Sequence, residues 1–499
     1  MNRQTVKLRI AKMFKKATKW YLELDFERII QVALSSASML PGVYLEPFMS
    51  KTFGYKQTDF ANPSVAAQGL RDSTVEMMSK PGTSNYNHAL LAKSRELTMK
   101  QLGLKESSLS MCDQFDAVEA IPTETSAGPW RFTRPKSQDS KLILYEMNQI
   151  IMNGAFDVLT QTCFSYIAWR TQERESGTKF RQIFVMPHIF IAFEYMFAKP
   201  IFDMFYSYDA QGIFTSYSFN ATWQDNSKLW EYLQTKNKVV GLDYSDFDRR
   251  VSNELLYVAL LIIKSLFRLD QKWQSDLFDA IIHVHLNCPI LSNYKGSPII
   301  FVKQSGLLSG SVFTNLLGTI INALIINYCL LELGEDPTQL ILKFKGDDTL
   351  VGCNTLFDYK LLSKLAEVRF GAKLNPDRTE VFSKGERIYY LGYYFDNRSK
   401  LPTSIGVLFR KIAISGRFIS DEIMNEPTRV ISKIISVLSN VSTGKQIFLE
   451  SFQRSYLEYY GLSEVPKYFF DLAETETHNY SLSDQKSVWA ELESGWMYK

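Results

Sequence analysis

Between Ile341 and Gly352 the chain reads ILKFKGDDTLVG, two apolar runs around a Gly-Asp-Asp tip. The flanks alternate as paired strands do, and Gly-Asp followed by a polar residue is a turn signal, so the stretch predicts a β-hairpin. Two neighbouring carboxylates at its tip, Asp347 and Asp348, fit either a solvated turn or a metal site. The choice depends on what the rest of the chain brings beside them.

The chain has 499 residues, 45% hydrophobic and 22% charged, with a net charge of +3. These proportions describe a globular chain with a large buried core. A balance so close to neutral excludes a globally basic surface, and any contact with nucleic acid must use a local basic channel. The high aromatic content, 34 Phe and 26 Tyr, calls for dense packing or for surfaces that stack on rings. Cys112, Cys163, Cys288, Cys329 and Cys353 are scattered without zinc-ligand spacing, which fits a reducing, intracellular setting. The first twenty residues are basic but lack the apolar core of a signal peptide.

The apolar spacing from Ile10 to Leu24 predicts an amphipathic helix, whereas residues 41–140 are rich in turn formers and receive no assignment. Beyond them the pattern predicts a helix over 141–170, a strand at 179–187 and a second strand at 238–248. Helices over 251–268 and 271–285, a strand at 298–304 and a long helix from Ser311 to Leu333 follow. That helix approaches membrane-spanning length but carries Asn322 and Asn327, and is read as buried. A helix near 355–369, strands at 379–383 and 388–394, and a helical tail complete an α+β pattern.

A second acidic cluster, GLDYSDFDRR, places Asp243 at the end of an apolar strand, with Asp246 and Asp248 at the start of a helix. One of the latter two is expected as a helix N-cap. Carboxylates converging from different strands are what two divalent cations need for phosphoryl transfer, and hard magnesium ions favour such oxygen donors. Between the two acidic sites, Ser305 to Ser311 form a Gly/Ser-rich loop running into the long helix, which suits phosphate or ribose contacts or a plain capped loop. Upstream, Lys179 and Arg181 fall on one strand face, available to a triphosphate or simply solvated.

In chain order these segments resemble the motifs of viral RNA-dependent RNA polymerases, notably the double-stranded RNA virus group of picobirnaviruses and partitiviruses. TSAGPW at 125–130 is similar to motif G and KFRQIFVMP to motif F, while DYSDFD resembles motif A. SGLLSGSVFTN resembles motif B, KGDD motif C, GAKLNPDRTEVF motif D and YYLGYYF motif E. The resemblance implies an α+β right-hand fold of fingers, palm and thumb, with an antiparallel palm sheet packed on helices. By position, residues 1–40 would dock on fingers or thumb, 41–235 form the fingers, 236–395 the palm with a fingers insertion at about 265–300, and 396–499 the thumb.

The resemblance further implies that Asp243, Asp347 and, more weakly, Asp348 bind two Mg2+ ions, with Mn2+ able to substitute. Lys179 and Arg181 would hold the triphosphate, and Ser309, Gly310 and Thr314 the ribose and template base. Thr125, Ser126, Gly128 and Pro129 would touch template. Asp248 is placed to accept a hydrogen bond from a ribose 2′-hydroxyl, which favours ribonucleotides over the deoxyribonucleotides of a reverse transcriptase. Where relatives carry Asn four residues after the motif B threonine, this chain has Gly318, and Asn322 one turn later is the stand-in. Where they carry a motif D lysine as general acid, it offers Arg378, with Lys373 five residues earlier. The implied activity is template-directed RNA synthesis that replicates and transcribes a viral genome, in the virion interior and the host-cell cytoplasm. The implied partners are RNA template, nascent RNA and ribonucleoside triphosphates, with viral capsid protein a further candidate and no membrane span. A noncatalytic RNA-packaging protein is the rival from another class, and it leaves the order of seven motifs unexplained.

Overall fold

The computed structural model describes residues 63–122, 127–129, 136–174, 177–207, 223–397 and 400–402. The helix expected over Ile10–Leu24, Thr125, Ser126 and everything from 403 onward lie outside the described residues. Helices α1 (Pro63–Met78), α2 (His88–Gln101), α3 (Gln114–Glu119), α4 (Lys136–Met152) and α5 (Asp157–Thr162) lead to the hairpin of β1 (Ser165–Arg174) and β2 (Gly177–Val185). Helices α6 (His188–Ser207) and α7 (Trp223–Leu233) come next, then β3 (Lys238–Leu242), β4 (Tyr244–Ser245), the short α8 (Phe247–Arg250), α9 (Asn253–Ser265) and α10 (Lys272–Asn287). The hairpin of β5 (Pro289–Tyr294) and β6 (Ser297–Val302) precedes the long helix α11 (Thr314–Glu332). After it come β7 (Ile341–Lys345), β8 (Asp348–Cys353), α12 (Tyr359–Phe370), β9 (Lys373–Leu374), β10 (Glu380–Ser383), β11 (Ile388–Tyr390), β12 (Tyr393–Phe395) and β13 (Lys400–Pro402).

Two four-stranded sheets organise these elements. One has the order β2-β1-β5-β6, with β1 and β5 parallel and its other pairs antiparallel. The other, β10-β3-β8-β7, is antiparallel throughout. Because side chains alternate across a strand, the second sheet has two different buried faces. Val240, Leu242, Phe344 and Val351 join the main core with α11 and α12, while Val239, Ile341, Leu350 and Phe382 meet Leu229 and Leu233 of α7 together with Ile388, Tyr390 and Phe395. The sheet is thus the middle of three layers. Helix α11 is predominantly apolar, and nearly all of it is buried, as a helix without a continuous polar face must be. That agrees with a buried helix and not a membrane span.

Four expectations change. The helix over 141–170 breaks at Gly154, whose φ of +59° ends α4, and residues 165–174 form a strand instead. The strand expected over 238–248 ends at Leu242, after which the chain leaves the sheet and pairs Tyr244 with Leu374. The strand at 298–304 has a partner, β5, across a Lys295–Gly296 turn in which both residues have positive φ, the signature of a two-residue hairpin. The strand at 388–394 folds back on itself at Leu391–Gly392 for the same reason, giving β11 and β12.

One charge lies deep in this core. Lys303 is fully buried, and its ammonium donates to the His285 carbonyl at 2.6 Å and to Asn253 Oδ1 at 3.1 Å. Burial pulls it from 10.5 down to about 7, against the opposing pull of Cys288. The unfolded chain keeps this lysine protonated to about pH 10.4, so between about pH 7 and 10 it binds more protons than the folded chain, and stability from this group rises with pH. Lys303→Met is therefore expected to flatten the pH dependence of urea unfolding across that window by roughly 1 kcal/mol per pH unit. An unaltered slope counts against the assignment.

Candidate active site

Strand register brings the acidic residues together. Leu242 of β3 faces Thr349 of β8, so Asp243 continues β3 beside the start of β8 at Asp348. Lys345 and Asp348 close the β7–β8 hairpin, leaving Gly346 and Asp347 as a two-residue turn. Gly346 has φ +59°, the value a type II′ turn needs at its first central position, and this is why a glycine precedes the two aspartates. Asp347 is exposed at the tip, while Asp243 and Asp348 are half-buried beneath it. Burial holds the Tyr244 phenol well above its usual range, with the Cys329 and Asp347 charges adding to the shift. Tyr390 is raised by burial and then by Asp348. Both phenols stay protonated, Tyr244 in the main core and Tyr390 on the opposite face of the sheet.

The tip is gripped from below by α11. The Asn322 amide donates to the Gly346 carbonyl at 3.0 Å and to Thr349 Oγ1 at 2.8 Å, and Thr319 Oγ1 accepts from Gly346 N at 2.8 Å. Asn322, Thr319 and Thr349 are buried, so these bonds have no competition from water. Asn322, expected as a nucleotide contact, has its amide engaged with the hairpin here. It lies behind the hairpin, two turns from the open end of α11, and holds the turn in place.

The loop 305–313 is held on three sides. Gly306 N donates to the Val251 carbonyl at 2.7 Å, Leu307 N to the Asp248 carbonyl at 2.6 Å, and Ser305 Oγ to the Met77 carbonyl at 3.2 Å. Against β2, the Ser309 hydroxyl donates to the Gln182 carbonyl and accepts from Phe184 N, each at 3.1 Å. Gly310 lies so close that a Cβ there would stand 1.9 Å from the Phe184 carbonyl oxygen. The Thr314 hydroxyl is 2.7 Å from the Leu308 and Ser311 carbonyls. Ser309, Gly310 and Thr314, expected at the ribose and template base, are anchored on the protein backbone here.

The remaining expected residues distribute as follows. Asp248 is exposed on α8. Asp246 adopts φ +57° and makes no side-chain cap; it pairs with Arg249, and the N-cap that works is Ser252 on α9. Arg378 Nη1 lies 3.5 Å from Asp243 Oδ2, and Lys373 pairs with Ser245 two residues beyond Asp243. Arg181 is exposed on β2 and position 179 lies two residues earlier on that strand. Gly128, with φ +82°, packs where a Cβ would meet the Met186 carbonyl at 2.2 Å, so it and Pro129 sit beside the end of β2.

Two residues were missed from sequence. Asn315 is exposed on the first turn of α11, with its Nδ2 3.8 Å from where a Cβ on Gly346 would stand. Glu194 is wholly buried on α6 and bonds the loop at Ser311 and Val312. Its signal was a single carboxylate within the apolar run HIFIAFEYMF.

Among the described residues no three acidic, imidazole or thiol side chains form a ready-made metal cage. What is present is an open set of carboxylate oxygens on adjacent strand ends, a donor type that suits Mg2+ completed by water and substrate phosphates. In that sense the residues fit the ions.

The viral RNA-dependent RNA polymerase family matches residues 66–409. The RNA-directed RNA polymerase of Cryptosporidium parvum virus 1 (strain KSU-1) is 31% identical over 201 residues, a match covering 36% of this chain and 37% of that protein. The genome polyprotein of Theiler's murine encephalomyelitis virus (strain DA) is 31% identical over 151 residues, 29% of this chain and 6% of the polyprotein. The matched region is thus little more than a third of the first relative's length. The RNA-dependent RNA polymerase of a human picobirnavirus superposes with a TM-score of 0.59 at 15% identity, covering 91% of this chain and 82% of that one. Its insertion loop deletion mutant gives 0.62 at 15%, over 98% and 92%. The Sicinivirus 3Dpol RNA-dependent RNA polymerase gives 0.57 at 13%, over 77% and 84%. The α+β fold is that of the right-hand polymerases, with the antiparallel sheet as palm, and the chain belongs to the viral RNA-dependent RNA polymerase family.

Proposed function

We propose that this chain synthesises RNA on an RNA template by two-metal nucleotidyl transfer, replicating and transcribing a viral RNA genome. The observation that carries the reading is the meeting of Asp243 with the Asp347–Asp348 tip on adjacent strand ends, beside a loop fixed to the basic strand β2. Asp243 and Asp347 hold the two Mg2+ or Mn2+ ions, with Asp348 in support. When bound, the ions supply activation of the attacking 3′-oxygen and neutralisation of the leaving pyrophosphate. The chain's own work is position and charge.

Lys179 and Arg181 orient the triphosphate from β2, and Asp248 reads the ribose 2′-hydroxyl. Asn315, exposed on the first turn of α11, shares with Asn322 the expected contact to ribose. Arg378, already beside Asp243, contributes fixed positive charge, whereas Lys373 is the residue able to give a proton to the leaving group. Thr125, Ser126, Gly128 and Pro129 guide template. The division into fingers (41–235), palm (236–395, with a fingers insertion at about 265–300) and thumb (396–499), with residues 1–40 docked on fingers or thumb, belongs to the same reading. So do a place in the virion interior and host-cell cytoplasm, and contact with capsid protein.

The test supplies purified protein with single-stranded RNA, four ribonucleotides and magnesium, and measures product length and strandedness. Asp347→Ala is expected to abolish incorporation while leaving the thermal midpoint within a few degrees of the parent; full activity in that variant overturns the metal assignment. Asp248→Ala is expected to lower the preference for a ribonucleotide over its 2′-deoxy counterpart about tenfold or more, since a lost hydrogen bond to a charged acceptor is worth roughly 1.5–3 kcal/mol. Unchanged discrimination removes Asp248 from the ribose site.

A further inference from the structure

Helix α11 starts without a cap of its own. Its N-cap position is Phe313, which has no side chain able to accept from the first-turn amides. Buried side chains instead hold the residues that lead into that first turn. Ser311 Oγ accepts from Phe313 N at 3.0 Å and donates to Glu194 Oε1 at 2.5 Å, and Glu194 Oε2 accepts from Val312 N at 3.0 Å. His285 Nε2 lies 2.7 Å from Glu194 Oε1, and its buried Nδ1 has no hydrogen-bond partner. That arrangement assigns the ring hydrogen to Nε2, because a bare acceptor is less costly to bury alone than an N–H.

Glu194 and His285 are 0% and 1% exposed, so the carboxyl group is buried and held by three donors beside the N-terminal end of a 19-residue helix. Its place in the chain gives it a second connection. Glu194 stands on α6, which follows β2 after only two residues, and Ser309 bonds that same β2. One turn beyond Ser311 comes Asn315, and further along α11 come Thr319 and Asn322, which hold the acidic turn.

We propose that Glu194 is a positioning residue for nucleotide selection, fixing the first turn of α11 against β2 so that Asn315 and the phosphate-binding strand keep one spacing. This rests on the polymerase reading above. It is distinct from a stability role, because what is set is the distance between two groups that grip opposite ends of one nucleotide.

Glu194→Gln is the direct test. Its amide keeps the shape but sets an N–H against either Val312 N–H or the Nε2–H of His285. Ser311→Ala removes one donor from the other side and leaves Glu194 in place. The measurements are single-nucleotide incorporation on a primed RNA template, with a ribonucleoside triphosphate and its 2′-deoxy counterpart, and the thermal midpoint. Glu194→Gln is expected to raise the nucleotide KM about tenfold and lower the ribo-over-deoxy preference, with kcat within about twofold; Ser311→Ala moves both in the same direction by about threefold. Glu194→Asp, which restores the charge, is expected to recover part of the KM. If KM and sugar preference stay at parental values while only the thermal midpoint falls, the role is structural and the proposal fails. Should Glu194→Gln not fold, Ser311→Ala decides by the same criterion. Absence of incorporation by the parent chain overturns the polymerase reading itself, and with it this one.

Discussion

Two neighbouring carboxylates at a strand tip repel each other, by about 1 kcal/mol at 4 Å in water and about 4 kcal/mol where the effective dielectric falls to 20. Everything near the site follows from holding that tip without deepening its burial or adding to its charge. The grip on Gly346 therefore uses a neutral amide and a neutral hydroxyl, Asn322 and Thr319, and reaches the backbone and not the aspartates. Asp347 is exposed and Asp243 only half-buried, so their repulsion stays weak and their oxygens remain open to incoming cations. Arg378 at 3.5 Å from Asp243 moderates the same field from the edge.

A polar grip beneath the sheet is affordable only inside a well-packed core. Helix α11 supplies that core with nearly every side chain it has, and the few polar groups it buries are all matched. Asn322 pairs with the hairpin, and Asn327 pairs with Thr98 and with Gln101 of α2. The close approaches are made by glycines where backbone meets backbone, at Gly310 against the Phe184 carbonyl and at Gly306 against the Asp248 carbonyl. An alanine at either place collides before any side chain can move, so the loop, β2 and the start of α8 are fixed relative to one another by sterics as much as by hydrogen bonds.

The fold was legible where periodicity and chemistry agreed. The hairpin around Asp347, the strand leading to Asp243 and the buried helix were all readable, because alternation, an all-round apolar run and turn residues each have one structural solution. Turns hidden inside apolar runs were not. The pairs Lys295–Gly296 and Leu391–Gly392 reverse the chain within what reads as continuous strand, and only the glycine hints at it. Site residues divided along a similar line. Carboxylates and basic residues at strand ends were visible by charge, whereas the backbone anchorage made by Ser309, Thr314 and Asn322 was not, because a hydroxyl or amide can serve substrate or backbone equally and only geometry shows the latter.

Glu194 belongs to a third class, a residue whose sequence context marks it as costly but not as functional. A buried carboxylate is tolerated only with its acceptors filled, and here the donors are Ser311, Val312 and His285, from the loop and from α10. Two of these donors, Ser311 and Val312, lie just before the first turn of α11, so the carboxylate holds the entry to the helix while Phe313 gives it no side-chain cap. A capping serine or aspartate at position 313 would stabilise α11 as well locally, yet it would leave the helix start independent of β2. Placing the acceptor on α6 makes the two move together, and that dependence is what a local cap could not provide.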